Sequence, residues 1–212
     1  PEIIEFNRHT VVMELDQTTG DVEDCMALYC YSADLYVSKE NMYLTREYQS
    51  NEGWERMTEI TCISYGDEGF AQVGSVTVEG SVLNQYSMDE YCYTQGEYEG
   101  KQIFRVVTTV YTPYTSASFY CVDTDTWEII GADEEFSPKG EDVQSVRFDG
   151  EKAYVCTAIE FTDPVFSFDL SDLNNITYAD TGEIKGYSFS LTKFWGGTLL
   201  GIGYNSRRSL KI

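Results

Sequence analysis

A pattern of apolar strands and tight turns recurs along this chain. Two short strands are joined by a tight turn and followed by a longer polar loop. A third strand then ends in aspartate before another turn and a fourth strand. With the second strands aligned, the equivalent residues lie 61, 50 and 46 residues apart, at Met42, Ile103, Ala153 and Leu199. Four-stranded units at such intervals are typical of propeller blades. The repeat therefore predicts an all-β fold, a β-propeller built from four-stranded antiparallel blades.

The repeat divides the chain into about four blade-equivalents. Complete blades are predicted over residues 32–80, 81–140 and 141–186, with half-blades over 1–31 and 187–212. Unpaired sheet edges invite aggregation, so each half-blade needs a partner. Two architectures satisfy this need. In one, the two ends of the chain pair and close a small ring; in the other, the chain is an arc of a larger propeller.

The charge of the chain is strongly acidic, with 36 Asp and Glu residues against 14 Lys and Arg residues and a net charge of −22. Phosphate binding depends on basic side chains, so we expect no nucleic-acid partner. An anionic membrane surface is disfavoured for the same reason. No run of about 18 apolar residues occurs, so we expect no direct membrane insertion. High solubility is the simplest role for such a surface.

The cysteines do not form a metal-binding pattern. Cys62, Cys121 and Cys156 lie inside apolar strand segments, where we expect buried thiols. The spacing of Cys25 and Cys30 permits a disulfide, but sequence alone does not establish one. That spacing has no second cysteine pair, and the only histidine is His9, so no zinc site is predicted. We expect no metal and no cofactor.

Aspartates recur at equivalent turns, which raises the question of calcium. Asp16, Asp123 and Asp169 each end a predicted third strand. The Asp123-Thr124-Asp125 and Asp133-Glu134-Glu135 segments lack the spacing of a loop that wraps a calcium ion. An aspartate repeated at equivalent turns favours a turn-forming role, in which the carboxylate bonds backbone two residues further on.

No catalytic residues are predicted. Glycosidases need two facing carboxylates, but the neighbours Asp89 and Glu90 point to opposite faces of a strand. No Gly-x-Ser-x-Gly segment is present, and His9 is the only imidazole. We therefore expect a protein that is not an enzyme. The alternative is a glycan-active hydrolase or lyase with acidic residues near the propeller axis.

Long loops between second and third strands carry aromatic residues that we expect to be exposed. These loops span Arg46 to Met57, Thr112 to Ala117 and Ile159 to Asp163. Uneven loops on a repeated scaffold are common binding sites, where aromatic rings stack on sugars or anchor peptides. The alternative is that the rings cover the blade edges. The candidate binding residues are Tyr48, Trp54, Tyr111, Tyr114 and Phe161. Four further aromatics are expected to fill spaces between blades: Tyr86, Tyr91, Trp127 and Trp195.

Leu83 to Tyr91 reads LNQYSMDEY. This segment resembles the LNQFSMDEY of a family of secreted bacterial proteins with a C-terminal β-propeller domain, distantly related to WD-repeat propellers. Asp163 to Asp172 is similar to its DPLFVIDLSDP, Leu199 to Tyr204 to its HLLGIGYD, and Tyr36 to Leu44 to its YVSEENLYL. The chain departs from the family after Asp172, where proline is absent, and in the longer loop from Cys92 to Lys101.

The resemblance implies a propeller fold and an extracellular or cell-envelope location, and it carries no assigned activity. Members of this family have longer propellers, which favours the arc of a larger ring. We predict a non-enzymatic extracytoplasmic binding or scaffold propeller that recognises a protein or glycan ligand on its loop face. A further alternative is an assembly unit, which forms an oligomer through its half-blade edges and completes a ring with a partner chain.

Overall fold

The computed structural model describes residues 9–28, 34–51, 53–158, 162–205 and 207–212. All strand pairs in these segments are antiparallel, and the strands form sheets of two to five strands. The all-β prediction is confirmed. None of the helices in the described segments is both long and apolar enough to cross a membrane.

The strands form five sheets in chain order. The first sheet contains β1 (Thr10–Leu15) and β2 (Val22–Leu28). The second contains β3 (Leu35–Val37), β4 (Asn41–Gln49), β5 (Arg56–Ser64) and β6 (Ala71–Glu79). The third contains β7 (Ser81–Val82), β8 (Met88–Cys92), β9 (Gln102–Val110), β10 (Ser116–Asp123) and β11 (Ile129–Asp133). The fourth contains β12 (Asp142–Phe148), β13 (Lys152–Ala158), β14 (Thr162–Asp169) and β15 (Thr177–Lys185). The fifth contains β16 (Tyr187–Lys193), β17 (Leu199–Tyr204) and β18 (Leu210–Lys211).

The first strands of consecutive sheets converge. A 3-10 turn at Gln85–Ser87 separates β7 from β8, and this turn contacts both β3 and β12. Strand β12 in turn contacts β16. The sheets therefore pack side by side like blades, with their first strands toward a common axis.

The third sheet has neighbours on both faces, so its middle strands are buried on both faces. One face of β9 and β10 places Phe104, Val106, Tyr120 and Val122 against the second sheet. The opposite face places Ile103, Val107, Phe119 and Cys121 against the fourth sheet. This split follows from the two-residue period of a strand, which sends successive side chains to opposite faces. Nearly continuous apolar sequence is the expected result.

The three strand cysteines are buried, as predicted. Cys62 lies in the core between the second and third sheets, and Cys121 in the core between the third and fourth. Cys156 lies with Val165 and Leu191, between the fourth and fifth sheets. Burial raises the pKa of the Cys62 and Cys121 thiols to about 12. Cys25 and Cys92 are exposed, and Cys30 lies outside the described residues.

Some boundaries differ from the sequence prediction. Half of the predicted loop from Arg46 to Met57 is strand, since β4 runs to Gln49 and β5 begins at Arg56. The C-terminal segment contains a third strand, β18, which was not predicted. Within the described residues the first and last sheets are separate, and β1 and β2 do not pair with β16, β17 or β18.

Candidate ligand-binding surface

A cleft opens at the end of the β4–β5 hairpin. The strand register sets Gln49 opposite Arg56, and the Ser50 N–H donates to the Glu55 carbonyl at 2.9 Å to close the turn. The cleft has a volume of about 380 Å³. It is lined by side chains from this hairpin and from the loop after β9: Glu47, Tyr48, Gln49, Trp54, Arg56 and Tyr111.

Three predicted aromatic residues meet in this cleft. Tyr48 and Trp54 come from the hairpin of the second sheet, whereas Tyr111 follows β9 of the third sheet. All three are exposed, and Trp54 retains 83% of its accessible surface. An exposed tryptophan beside two tyrosines offers flat apolar area that costs little conformational entropy when a ligand binds.

Arg56 also lines the cleft. Its guanidinium carbon is 5.1 Å from the centroid of the Tyr111 ring, within cation–π range. One guanidinium nitrogen lies 3.6 Å from a Glu47 carboxylate oxygen and donates to the Ser81 hydroxyl at 3.4 Å. These contacts hold the arginine across the boundary between two sheets. The predicted site did not include Arg56, because the sequence placed it in a loop rather than opposite Gln49 on a strand.

The remaining predicted binding residues do not join this cleft. Tyr114 is exposed in the loop between β9 and β10, where the Lys139 ammonium lies 3.6 Å from its ring centroid. Phe161 lies outside the described residues. The structure therefore brings together Tyr48, Trp54 and Tyr111 around an arginine and sets Tyr114 apart from them.

Two of the aromatics expected between blades are instead exposed. Tyr91 and Trp127 pack partly buried against the core clusters, as predicted. Tyr86 and Trp195 retain 65% and 91% of their accessible surface, so their prediction is wrong. Both lie in 3-10 turns, Gln85–Ser87 and Trp195–Gly197, that connect one strand to the next. The alternating period that sends strand side chains inward does not apply in such turns.

The repeated aspartates are turn formers, as predicted. The Asp16 carboxylate accepts the Thr18 N–H at 2.6 Å and the Thr19 N–H at 2.8 Å. Asp123 accepts the Asp125 N–H at 2.9 Å, and Asp169 accepts the Ser171 N–H at 3.0 Å. Bonds to the ionised form hold the pKa of these carboxyls below the usual range. For Asp123 the largest cause is the hydrogen bond from Lys101, at 2.5 Å.

The neighbours Asp89 and Glu90 face different blades, as the strand geometry predicted. Asp89 forms an ion pair with Arg105, whose buried guanidinium also donates to the Gly150 carbonyl at 2.6 Å. Glu90 accepts the hydroxyl hydrogen bonds of Tyr43, at 2.5 Å, and Ser38, at 2.7 Å, on the second sheet. Glu90 therefore joins two blades directly, whereas Asp89 holds the arginine of its own sheet that reaches the next blade.

The acids near the converging first strands do not form a facing pair in the described residues. Of the two clefts found there, one is lined by Asp89, whose charge is paired with Arg105, and no acid of the described residues lines the other. Burial raises the pKa of Asp34, Glu79 and Asp133, but none of the three lines these clefts. This geometry offers no support for a hydrolase with two carboxylates at the axis.

Comparison with known proteins agrees with the blade geometry. The sequence profile of a family described as the beta propeller domain matches residues 3–211. The chain belongs to this family. An uncharacterized protein of Methanocaldococcus jannaschii is 32% identical over 165 residues, which cover 76% of this chain and 24% of that protein. An uncharacterized protein of Archaeoglobus fulgidus is 30% identical over 172 residues, covering 81% of this chain and 26% of that protein.

The resemblance to secreted bacterial proteins implied a propeller fold, and the family match confirms that fold. Both relatives are archaeal, whereas the resemblance was to bacterial proteins, and the bacterial, secreted and C-terminal features stay predictions. This propeller chain spans about a quarter of the length of each relative.

Proposed function

We propose that this β-propeller is a non-enzymatic binding or scaffold module, and that it recognises a protein or glycan ligand in the cleft around Arg56. One observation carries the proposal: Tyr48, Trp54 and Tyr111, from two adjacent blades, converge on this cleft and stay exposed. Side chains that served only to cover blade edges would be expected to lose most of their accessible surface. Trp54 instead keeps most of its surface open to solvent.

The chemistry of the cleft suits a ligand with both flat apolar and polar groups. The rings supply stacking surfaces, while Gln49 and Glu47 supply amide and carboxylate groups. The Arg56 guanidinium is half-exposed beside Tyr111, so it retains donors for a ligand oxygen. Sugar rings and peptide segments both present this mixture of groups.

The test is a glycan and peptide array probed with the labelled wild-type chain, Trp54→Ala and Tyr111→Ala. Trp195→Ala is a matched control, because Trp195 is equally exposed and lies outside the cleft. The strongest array ligand is then titrated by calorimetry. Trp54→Ala is expected to weaken its binding about tenfold or more, and Trp195→Ala to leave it unchanged. Equal binding by Trp54→Ala and the wild type would contradict the proposal that the ligand binds in this cleft.

The extracellular or cell-envelope location is part of the same proposal. It rests on the resemblance to secreted proteins, and it is consistent with a module whose recognised partner lies outside the cytoplasm. Fractionation of cells that express the full-length protein, with immunodetection of this segment, tests it. Recovery of all the protein in the cytoplasmic fraction would contradict the location without affecting the cleft.

A second candidate function, assembly, is favoured by the exposed apolar face of the β1–β2 sheet. Val11, Met13 and Leu15 alternate along β1 and each retains about half of its accessible surface. Side chains of this kind in a propeller pack against a neighbouring blade, here supplied by further chain or by a partner subunit. Light scattering at increasing concentration tests self-association, and Met13→Glu is expected to abolish any oligomer that uses this face.

A further inference from the structure

Two clefts lie side by side along the converging first strands, away from the Arg56 cleft. Their volumes are about 420 and 380 Å³, and they share Tyr86, Val146 and Arg147. One extends toward Leu35 and Val37 on β3, and the other toward Phe189 and Leu191 on β16. We call this combined surface, lined by β3, the Gln85–Ser87 turn, β12 and β16, the axial wall.

Arg147 is the unusual residue of the axial wall. Its side chain is exposed on β12 and forms no ion pair or hydrogen bond with the described part of the chain. In contrast, Arg46, Arg56 and Arg105 each have a carboxylate partner. Since acidic residues greatly outnumber basic ones, an arginine without such a partner is free to bind a ligand anion.

Exposed apolar side chains surround this arginine. Leu35, Val37, Tyr86 and Phe189 retain between 44% and 65% of their accessible surface. Val146 forms a buried floor between the two clefts. A contiguous exposed apolar surface with a few polar groups is characteristic of an interaction site.

The backbone of the axial wall offers a third kind of contact. Strands β3, β12 and β16 each lie at the end of their sheet, so within the described residues each has one edge without a neighbouring strand of its own sheet. Two edge groups are already bonded: the Val143 N–H donates to the Thr109 hydroxyl at 3.1 Å, and the Ser188 carbonyl accepts the Ser145 hydroxyl at 2.8 Å. Other N–H and C=O groups of such an edge can bind an extended peptide as an added strand. Side chains on either side of such a peptide would then reach Arg147 and the apolar residues.

We propose that the axial wall binds an extended peptide that carries one acidic side chain among apolar or aromatic residues. The carboxylate pairs with Arg147, and the flanking side chains pack on Tyr86 and Phe189. A single acid fits better than an acidic run, because the net charge of −22 repels further negative charge. The lining beside β3 is mostly apolar, which favours a peptide there over an acidic sugar, because the hydroxyls of a sugar need more hydrogen-bonding partners than this part of the wall supplies.

The test is fluorescence anisotropy with a fluorescein-labelled heptapeptide that has one glutamate between leucine and phenylalanine residues. A peptide with glutamine in place of glutamate is measured in parallel. The proteins are the wild type, Arg147→Ala, Tyr86→Ala and the control Arg207→Ala, which removes another exposed arginine without an ion-pair partner in the described chain. Arg147 and Tyr86 are exposed, so their variants are expected to fold.

The glutamate peptide is expected to bind the wild type about tenfold more tightly than the glutamine peptide. Arg147→Ala should remove this preference, Tyr86→Ala should weaken both peptides, and Arg207→Ala should match the wild type. Absence of binding, or equal binding by Arg147→Ala, would overturn the proposal. An oligogalacturonate is tested as a competitor. If it displaces the peptide and its own binding requires Arg147, the axial wall is a site for acidic glycans and the peptide proposal is overturned.

The test of the axial wall can fail or succeed independently of the test of the Arg56 cleft. Trp54→Ala lies in that cleft and is expected to bind the glutamate peptide like the wild type. Loss of peptide binding in Trp54→Ala, with retention in Arg147→Ala, would place the peptide in the Arg56 cleft and contradict an axial-wall site.

Discussion

The Glu90 carboxylate accepts the Tyr43 hydroxyl at 2.5 Å across the boundary between the second and third sheets. Asn41 donates its side-chain amide to the same carboxylate at 3.2 Å, and Ser38 donates its hydroxyl at 2.7 Å. The Tyr43 ring stacks on Phe104 with centroids 4.3 Å apart. One acidic residue of the LNQYSMDEY segment therefore holds together the adjoining strands of two blades.

Glu90→Gln is expected to destabilise the fold by about 2 kcal/mol, because charge-assisted hydrogen bonds to a part-buried carboxylate are replaced by weaker neutral ones. Urea unfolding followed by tyrosine and tryptophan fluorescence measures the change. Glu99→Gln, at an exposed loop position, is the control and should match the wild type. A double-mutant cycle with Tyr43→Phe should give a coupling energy clearly above zero; strict additivity would contradict the inter-blade role.

Gly74→Ala is expected to destabilise the fold by about 1–3 kcal/mol through overpacking. A Cβ at Gly74 on β6 would overlap the Trp127 indole, which lies against that strand from the next blade. Gly53→Ala is the control, since its Cβ would meet only the flexible Glu55 side chain. The thermal midpoints of both variants measure the difference.

Trp127 itself supplies a rescue experiment for this contact. Its φ is +61°, a value that favours glycine, and Gly20 holds the equivalent turn position with φ +77°. In both turns the residue's N–H donates to the carbonyl of the aspartate four residues earlier, at 2.8 Å. Trp127→Gly is therefore expected to cost less stability in the Gly74→Ala background than in the wild type. An equal cost in both backgrounds would show that the two residues do not meet.

Ser87→Ala is expected to leave stability unchanged or to raise it by about 1 kcal/mol. The Ser87 hydroxyl is fully buried and has no hydrogen-bond partner within the described segments, so its removal relieves a desolvation penalty. Ser116→Ala is the matched control: Ser116 is also buried, but donates to the Ser137 carbonyl at 3.1 Å. That variant should lose about 1 kcal/mol. The free energy of unfolding of both variants is measured in urea. Equal losses of stability would contradict the conclusion that the Ser87 hydroxyl has no hydrogen-bond partner in the described chain.

The Asp123–Lys101 ion pair is expected to give an acid-sensitive contribution to stability. Its hydrogen bond holds the pKa of Asp123 below the ordinary value of 3.8. A carboxyl with a lowered folded-state pKa stabilises the fold above its unfolded-state pKa, and this contribution is lost as pH falls through the folded-state value. The stability difference between the wild type and Asp123→Asn should therefore be constant from pH 7 to 5 and shrink below about pH 4. Asp67→Asn, at an exposed turn, is the control measured over the same pH range.

Much of the fold was predictable because its signals are local. The Asp16, Asp123 and Asp169 turns followed from a repeated aspartate, whose carboxylate reaches backbone only two or three residues away. The buried strand cysteines followed from their apolar neighbours. The 3-10 turns at Tyr86 and Trp195 were not predicted. Strand periodicity assigned both side chains to the core, whereas the backbone of these turns leaves them exposed to solvent.

The candidate site was only partly predictable. Loop aromatics suggested Tyr48, Trp54 and Tyr111, but their convergence on Arg56 depends on the length of the β4–β5 hairpin and on the packing of two blades. Tyr114 has the same residue type and the same kind of loop, yet it packs beside Lys139 instead. No sequence pattern distinguishes these two outcomes, since the deciding contacts join separate blades.

The sequence by itself determined the all-β class, the blade repeat and the aspartate turns, because each depends on strand periodicity or on hydrogen bonds between near neighbours in the chain. Only the tertiary structure decided which residues meet between blades: Glu90 with Tyr43, Arg105 with Gly150, Gly74 with Trp127, and three loop aromatics with Arg56. The physical reason is that these contacts depend on how neighbouring sheets pack face to face. A two-residue period predicts which side of a strand a residue faces, but not the residue that it meets across the boundary.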